Sequence, residues 1–213
     1  MQEVLPGIFH WSTPHPKIKI EVSSYWLDNG GVLIDPLIPR NVELRWFEGR
    51  PSPPKAIALS SRHHYRDSSR LVEHFGCRVL CNRAGLHEFT HGEPVTGFDP
   101  GEPLPGDLTA FEIGGLCPDE TALHSALART LWLADALVRN PAEGRSDVLG
   151  FVPDTLMDDP PETKRQLLEA LTRALDELDF ENVMLAHGGP LIGDGRRQLQ
   201  EFVDGGGRTA FEY

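Results

Sequence analysis

Short apolar runs alternate along the chain with polar connections rich in glycine and proline, a pattern typical of a protein built largely from β-strands. In the first part of the chain, aromatic and β-branched residues predict strands at 5–11, 18–27 and 32–34. The last two are separated by the sequence DNGG, and Asn-Gly supplies the positive φ angles of a tight hairpin turn. This hairpin leads directly into Asp35, which places a carboxylate at the C-terminal tip of a strand.

Helical periodicity is strongest between residues 167 and 178, where leucine and alanine recur at a spacing of about 3.6 residues. Asp159 and the two prolines that follow it predict the N-cap and the first turn of this helix. Shorter helices are predicted at 40–50, 69–75 and 196–203. Further strands are predicted at 56–59, 78–80, 108–113, 121–127, 130–133 and 180–185.

Four of these predicted strands end in polar side chains that carry chemistry. They end at Asp35, at the cluster SRHHYRD of residues 61–67, at Asp135 and at His187. Each residue taken singly has an ordinary structural explanation, such as an aspartate that caps a loop. Ligands bind at the C-terminal edge of open α/β sheets, and histidine together with carboxylate is the usual ligand set of a metal site. The four strand ends together therefore predict one site along one edge.

The length, charge and cysteine content of the chain exclude some classes of function. The 213 residues are long enough for one domain with a substantial core, and a net charge of −12 disfavours a nucleic-acid partner, which requires a basic face. The three cysteines have neither zinc-finger nor redox spacing, so we expect free thiols in a reducing compartment. No apolar run reaches the roughly 18 residues of a membrane span. We expect a cytoplasmic protein with no membrane partner, and the sequence does not predict its oligomeric state.

The order and spacing of these features resemble the metallo-β-lactamase superfamily. The resemblance rests on the hairpin into Asp35, the strand into SSRHHYRDSS, the loop GGLCPDETAL and the strand ends at Asp135 and His187. It extends from about residue 5 to 203, although no single motif is intact. It implies an α+β fold, a four-layer αββα sandwich in a single domain, 1–213, with a glycine-rich tail over about 204–213.

The resemblance also implies positions for the family's metal ligands. The motif His-x-His-x-Asp-His falls on Ser61, His63, Tyr65 and Arg66. The loop histidine of the family falls on Leu116 or, with a one-residue gap, on Glu120. The last two ligands fall on Asp135 and His187. The usual dinuclear centre is therefore expected to be largely lost. Arg66 opposes a dication by several kcal/mol at about 4 Å and an effective dielectric constant of about 20, and it is expected to pair with Asp135 instead.

These considerations predict a hydrolase-like protein with a degenerate metal site. The predicted site residues are His63, Tyr65, Arg66, Asp135 and His187, with Ser61 and Asp35 at the rim. The preferred hypothesis is a metal-free descendant, without a cofactor, that binds a small acidic or neutral ligand or a partner.

Two alternatives remain open. The first is a hydrolase of an ester, lactone, thioester or phosphodiester, with one zinc, iron or manganese ion held by His63, Asp135 and His187 and with His64 or Glu120 as a further ligand. The second is metal-free acid–base chemistry, with His63 or His187 as base, Tyr65 as acid and Arg66 as anion clamp. The second alternative ranks last because Ser61 lacks the Gly-x-Ser-x-Gly context of an activated nucleophile.

Overall fold

Two β-sheets pack face to face, and the predicted site residues follow strands that end at one edge of this sandwich. A computed structural model describes residues 1–139 and 148–207. The predicted glycine-rich tail lies outside the described residues from 208 onwards. Among the described helices, none combines the length and the apolar character needed to cross a membrane.

The N-terminal half of the chain forms a seven-stranded sheet. Its strands follow one another in chain order across the sheet: β1 (Gln2–Leu5), β2 (Ile8–Pro14), β3 (Glu21–Leu27), β4 (Val32–Ile34), β5 (Ala56–Ala58), β6 (Arg78–Asn82) and β7 (Val95–Phe98). Strands β1 to β4 pair antiparallel, and β4 to β7 pair parallel. Because β4 and β5 are parallel neighbours, the residues that follow each of them lie at the same edge.

The C-terminal half forms a five-stranded sheet and a small two-stranded sheet. The strands are β8 (Pro103–Leu104), β9 (Leu108–Glu112), β10 (Thr121–Ser125), β11 (Thr130–Leu133), β12 (Val138–Arg139), β13 (Leu149–Gly150) and β14 (Asn182–Leu185). The order in the larger sheet is β14-β11-β10-β9-β8, and β12 pairs with β13. Strands β11 and β14 are parallel, with Leu133 opposite Leu185, so that both strands also end at one edge.

Helices cover the outer face of each sheet. They are α1 (Arg45–Glu48), α2 (Ser68–Phe75), α3 (Pro160–Glu177) and α4 (Gly195–Asp204). Helices α1 and α2 pack on the seven-stranded sheet through Phe47 and Leu71, and α3 and α4 pack on the five-stranded sheet through Leu167 and Leu199. Short 3₁₀ turns lie at Arg62–His64, Arg83–Glu88 and Asp154–Leu156.

The core has three apolar layers because the central strands are buried on both faces. Ile34 and Ala58 of the first sheet meet Leu123, Trp132 and Met184 of the second in the inner layer. Alternate residues of the same strands point outward to the helices, as the two-residue period of a strand requires. The arrangement of layers is therefore helix, sheet, sheet, helix, which confirms the predicted αββα sandwich.

Local sequence signals predicted most elements correctly. The hairpin is confirmed by the antiparallel pairing of β3 with β4, in which Tyr25 lies opposite Ile34. Helix α1 lies within the predicted range 40–50 but is shorter, because it begins at Arg45 and is capped by Gly49. Strand β10 ends at Ser125, two residues earlier than the apolar pattern indicated, because the chain turns at 126–129 into β11.

The N-cap of α3 allows a clean test of the helix prediction. The Asp159 side chain accepts a hydrogen bond from the Glu162 backbone N–H at 3.2 Å. We expect Asp159→Ala to lower the free energy of unfolding by about 1 kcal/mol, because one helix N–H loses its acceptor. The control is the exposed neighbour Asp158, where alanine should change stability by less than about 0.5 kcal/mol. Urea denaturation of both variants checks this, and equal effects at the two positions would contradict it.

Candidate metal centre

Three side chains from separate strand ends converge at one edge of the sandwich. His64 lies on the 3₁₀ turn after β5, Asp135 follows β11 and His187 follows β14. His187 Nε2 is 3.0 Å from Asp135 Oδ1, and His64 Nε2 is 3.5 Å from the same oxygen. One potential ligand atom from each residue lies within 4.8 Å of the other two.

Strand pairing explains why residues so far apart in sequence meet here. The pairing of β11 with β14 continues past the strand ends, where the Ala186 N–H donates to the Leu133 carbonyl at 3.0 Å. The two sheets are joined at the same edge, because the Ser23 N–H of β3 donates to the Ala186 carbonyl at 2.8 Å. The Ser23 hydroxyl also donates to the Gly188 carbonyl at 2.6 Å. These contacts hold His187 against the first sheet.

Asp35 orients His64 from below. Its Oδ2 atom lies 3.0 Å from His64 Nδ1 and accepts a hydrogen bond from the Ser60 hydroxyl. Its Oδ1 atom accepts from the Ser60 N–H at 2.9 Å. Asp35 is buried and has a φ of 48°, a conformation that aspartate adopts more readily than most residues. The sequence placed Asp35 at the rim, whereas the structure places it beneath the cluster, because β4 ends inside the sandwich.

The charged groups of the cluster shift one another's pKa values. Burial and Arg66 lower the pKa of His64, but Asp35 and Asp135 raise it more, so that it lies at about 9. Burial alone would raise the pKa of Asp135, but His64 and His187 bring it well below its ordinary value. With protein groups alone, His64 is therefore an imidazolium between two carboxylates.

Glu120 is a second buried carboxyl group beside Asp135. Its Oε1 atom accepts a hydrogen bond from the Ala136 N–H at 2.7 Å, and its Oε2 atom has no hydrogen-bond partner among the described residues. Burial and the charge of Asp135 raise the pKa of Glu120 well above its ordinary value. Leu116, the other residue matched to the family's loop histidine, packs against the apolar layer beneath α3. Of the two, Glu120 is the residue near the cluster.

Arg66 lies beside the cluster but does not form the expected pair with Asp135. Its Nη1 atom donates to the Ser23 carbonyl at 2.8 Å and to the Asp35 carbonyl at 2.7 Å. No ion pair within 4.0 Å joins Arg66 to a carboxylate in the described part of the chain. The guanidinium is instead held by the backbone where β3 and β4 meet, because two carbonyl groups point at it there.

His63 and Tyr65 point away from the other predicted site residues. His63 is exposed, and its Nε2 atom lies 3.9 Å from Cys117 Sγ. The Tyr65 ring packs against Phe89 with ring centres 5.5 Å apart. Successive side chains of a 3₁₀ turn leave it about 120° apart, so adjacent histidines cannot face the same cluster. The structure therefore brings His64, rather than the predicted His63, to Asp135 and His187.

The register of the family motif explains why His63 was the predicted ligand and His64 only a possible further one. That motif assigns ligands to Ser61 and His63, whereas Ser61 is buried and caps the 3₁₀ turn by accepting from the His63 N–H at 3.4 Å. The backbone N–H of His64 donates to the Ser61 carbonyl at 3.0 Å, which closes the turn and directs His64 inward. The sequence signal for the observed ligand was the pair of adjacent histidines, His63 and His64, since either was a possible ligand.

The donor set fits a single divalent metal ion. Asp135 Oδ1 is buried and is approached by two imidazole nitrogens, but neither approach has the geometry of a hydrogen bond. Two imidazoles and one carboxylate suit zinc, iron(II) or manganese. The bond from His64 to Asp35 is the outer-shell contact that commonly orients a ligating histidine. The side chains of His187 and Asp135 are 16% and 18% exposed, so part of the cluster is in contact with solvent.

Comparison with known proteins identifies the fold. No protein-family model matches the sequence, and no curated protein matches it. A metallo-β-lactamase family protein from Thermus thermophilus superposes with a TM-score of 0.64 at 20% identity, over 95% of this chain and 80% of that one. A metallo-β-lactamase from Pontibacter korlensis superposes with a TM-score of 0.68 at 14% identity, over 95% and 96%. A protein solved in a di-iron-bound form, TTHA1623, superposes with a TM-score of 0.64 at 20% identity, over 88% and 96%. The chain therefore has the metallo-β-lactamase fold.

Proposed function

We propose that this protein is a metal-dependent hydrolase in which His64, Asp135 and His187 hold one divalent metal ion. The observation that carries the proposal is the convergence of one donor atom from each residue within 4.8 Å. The proposal replaces His63 of the sequence-based alternative by His64. TTHA1623, a protein of the same fold, was solved in a di-iron-bound form, which supports metal binding by a protein of this fold.

The metal and the protein have separate tasks. A zinc, iron or manganese ion held by His64, Asp135 and His187 would supply Lewis acidity, which activates water as a nucleophile at neutral pH. Asp35 keeps the Nδ1 proton of His64, which leaves Nε2 free to act as a ligand. Glu120 Oε2 has no described partner and is therefore able to hold a proton next to Asp135.

This chemistry indicates a class of substrates. Lewis-acid activation of water serves hydrolysis of an ester, a lactone, a thioester or a phosphodiester. The described residues offer no alternative nucleophile in this cluster, because Ser60 and Ser61 are buried and the Ser60 hydroxyl is bonded to Asp35. We therefore propose direct attack by water.

A second candidate function is a metal-free binding site. It is favoured by one observation, the charge balance of the protein groups themselves: Arg66 and the imidazolium of His64 offset Asp35 and Asp135. This charge balance does not require a cation, and a protein that had lost the metal would be a ligand-binding descendant of a hydrolase.

The two candidates differ in metal content. We expect the untagged protein to contain about one zinc, iron or manganese ion per chain by plasma mass spectrometry, since three protein ligands are the usual minimum for a catalytic site. Chelation should remove the ion, and addition of the same metal should restore it. The variant His124→Ala is the control, because His124 bonds to the Asp179 carbonyl at 2.9 Å, outside the cluster. Trace metal that stays at trace level after soaking would overturn the hydrolase proposal and leave the metal-free candidate.

A further inference from the structure

We propose that the site takes a monoanionic substrate and that Arg66 binds its carboxylate. The catalytic part of this inference rests on the proposed hydrolase function, but the binding part does not. Three observations carry it: the unused donors of Arg66, the way in which its guanidinium is held, and the cationic groups around it.

Arg66 has hydrogen-bonding capacity that the protein does not use. A guanidinium offers five N–H donors, and the two hydrogen bonds described for Arg66 both leave from Nη1. Neither Nε nor Nη2 has an acceptor among the described residues, and neither is one of the fully buried atoms without a partner. Arg66 is half-buried. These two nitrogens therefore remain available to an acceptor from outside the protein.

The guanidinium is also fixed in orientation. The carbonyl groups of Ser23 and Asp35 hold Nη1 from two neighbouring strands. A guanidinium held in this way presents Nε–H and Nη2–H as a planar fork, which matches the two oxygens of a carboxylate. Little side-chain entropy remains to be lost when such a ligand binds, since the protein has already ordered the group.

The loop between β2 and β3 brings further positive charge close to Arg66. Ser23, which holds Arg66, lies two residues after the start of β3, so the connection at 15–20 borders the same edge. It carries His15, Lys17 and Lys19. The His15 imidazole is oriented by accepting from the backbone N–H groups of Lys17 and Ile18 at 3.3 and 3.4 Å. Burial and the nearby charges of Arg66, Lys17, His64 and His187 lower the pKa of His15, which agrees with a cluster of cationic groups.

The charges favour a monoanion. The chain has a net charge of −12, so its overall field does not attract anions, and recognition must come from close contacts. Asp35 and Asp135 lie in the same site and repel a dianionic phosphate more than a carboxylate. A charge-assisted, bidentate contact to Arg66 should favour a carboxylate over a neutral group of the same shape by about 10-fold or more.

A matched pair of probes tests this inference without turnover. Benzoate and benzamide have nearly the same shape, and only benzoate carries a charge at about pH 7.5. We expect the purified wild-type protein to bind benzoate at least about 10-fold more tightly than benzamide in calorimetric titrations. The variant Arg66→Gln should reduce this ratio to below about 3-fold, and protein treated with a chelator should keep it.

A second pair of variants covers the case in which Arg66→Gln does not fold. His15→Glu places a carboxylate beside Arg66 and should remove the preference for benzoate, whereas His15→Gln should keep it. The inference would be overturned if the wild type bound both probes equally or did not bind benzoate. It would also be overturned if the preference for benzoate persisted in Arg66→Gln or, where that variant does not fold, in His15→Glu. Loss of the preference on chelation would assign the anion to the metal and also overturn it. Absence of metal with an intact preference would overturn only the hydrolase proposal.

Discussion

The variant His64→Ala is expected to lose stoichiometric metal and hydrolytic activity, whereas His63→Ala is expected to keep both. His64 Nε2 faces Asp135 Oδ1 at 3.5 Å, while His63 is exposed and turned toward Cys117. Removal of one of three protein ligands should weaken metal binding by more than about 100-fold, since loss of an outer-shell partner alone weakens it about 10- to 100-fold. Metal content after dialysis and a competitive titration with a chromophoric chelator measure the difference.

His63→Ala is a matched control for His64→Ala, because the two variants remove the same side chain from adjacent positions. His64→Ala also leaves the buried Asp35 without its cationic neighbour, which can destabilise the fold by about 3–5 kcal/mol. The variant His187→Ala therefore serves as a second test, because its Nδ1 atom has no described partner to lose. Thermal unfolding of each variant separates loss of the fold from loss of the metal. If His63→Ala lost the metal and His64→Ala kept it, the ligand assignment would be wrong.

Asp35→Asn is expected to weaken metal binding by about 10- to 100-fold with little change in shape, because outer-shell partners of ligating histidines have effects of this size. The Ser60 N–H donates to Oδ1 of Asp35 at 2.9 Å, so the amide oxygen of asparagine should stay in that position. Its NH₂ group then faces His64 Nδ1, which must become an acceptor and carry its proton on Nε2 instead. The nitrogen that would bind the metal is thereby blocked.

The control for this variant is Asp28→Asn. Asp28 is also buried and bonds to Arg50 and to the Trp26 indole N–H, outside the cluster. Its replacement should lower stability without changing the dissociation constant of the metal. Unchanged metal affinity in Asp35→Asn, measured beside this control, would show that Asp35 does not set the His64 tautomer.

Much of the fold was predictable because its signals are local. The turn between β3 and β4 follows from Asn29 and Gly30, whose backbone preferences act within a few residues. The start of α3 follows from Asp159 and the prolines after it, whose effects are confined to one helical turn. The resemblance to metallo-β-lactamases added the pairing of distant strands, which no local preference specifies.

The order of the elements and the strand ends that carry polar side chains were predictable from the chain alone, because both follow from periodicity and turn preferences within a few residues. Which of those side chains meet depends on the packing of the two sheets. His64 replaces His63 in the cluster because the direction of each side chain depends on the 3₁₀ turn that Ser61 caps. Asp35 lies beneath His64 because β4 is a central strand, and Arg66 binds two backbone carbonyls because β3 and β4 present them together. These outcomes depend on how two sheets pack, and a side chain's partners across that interface lie far from it in sequence.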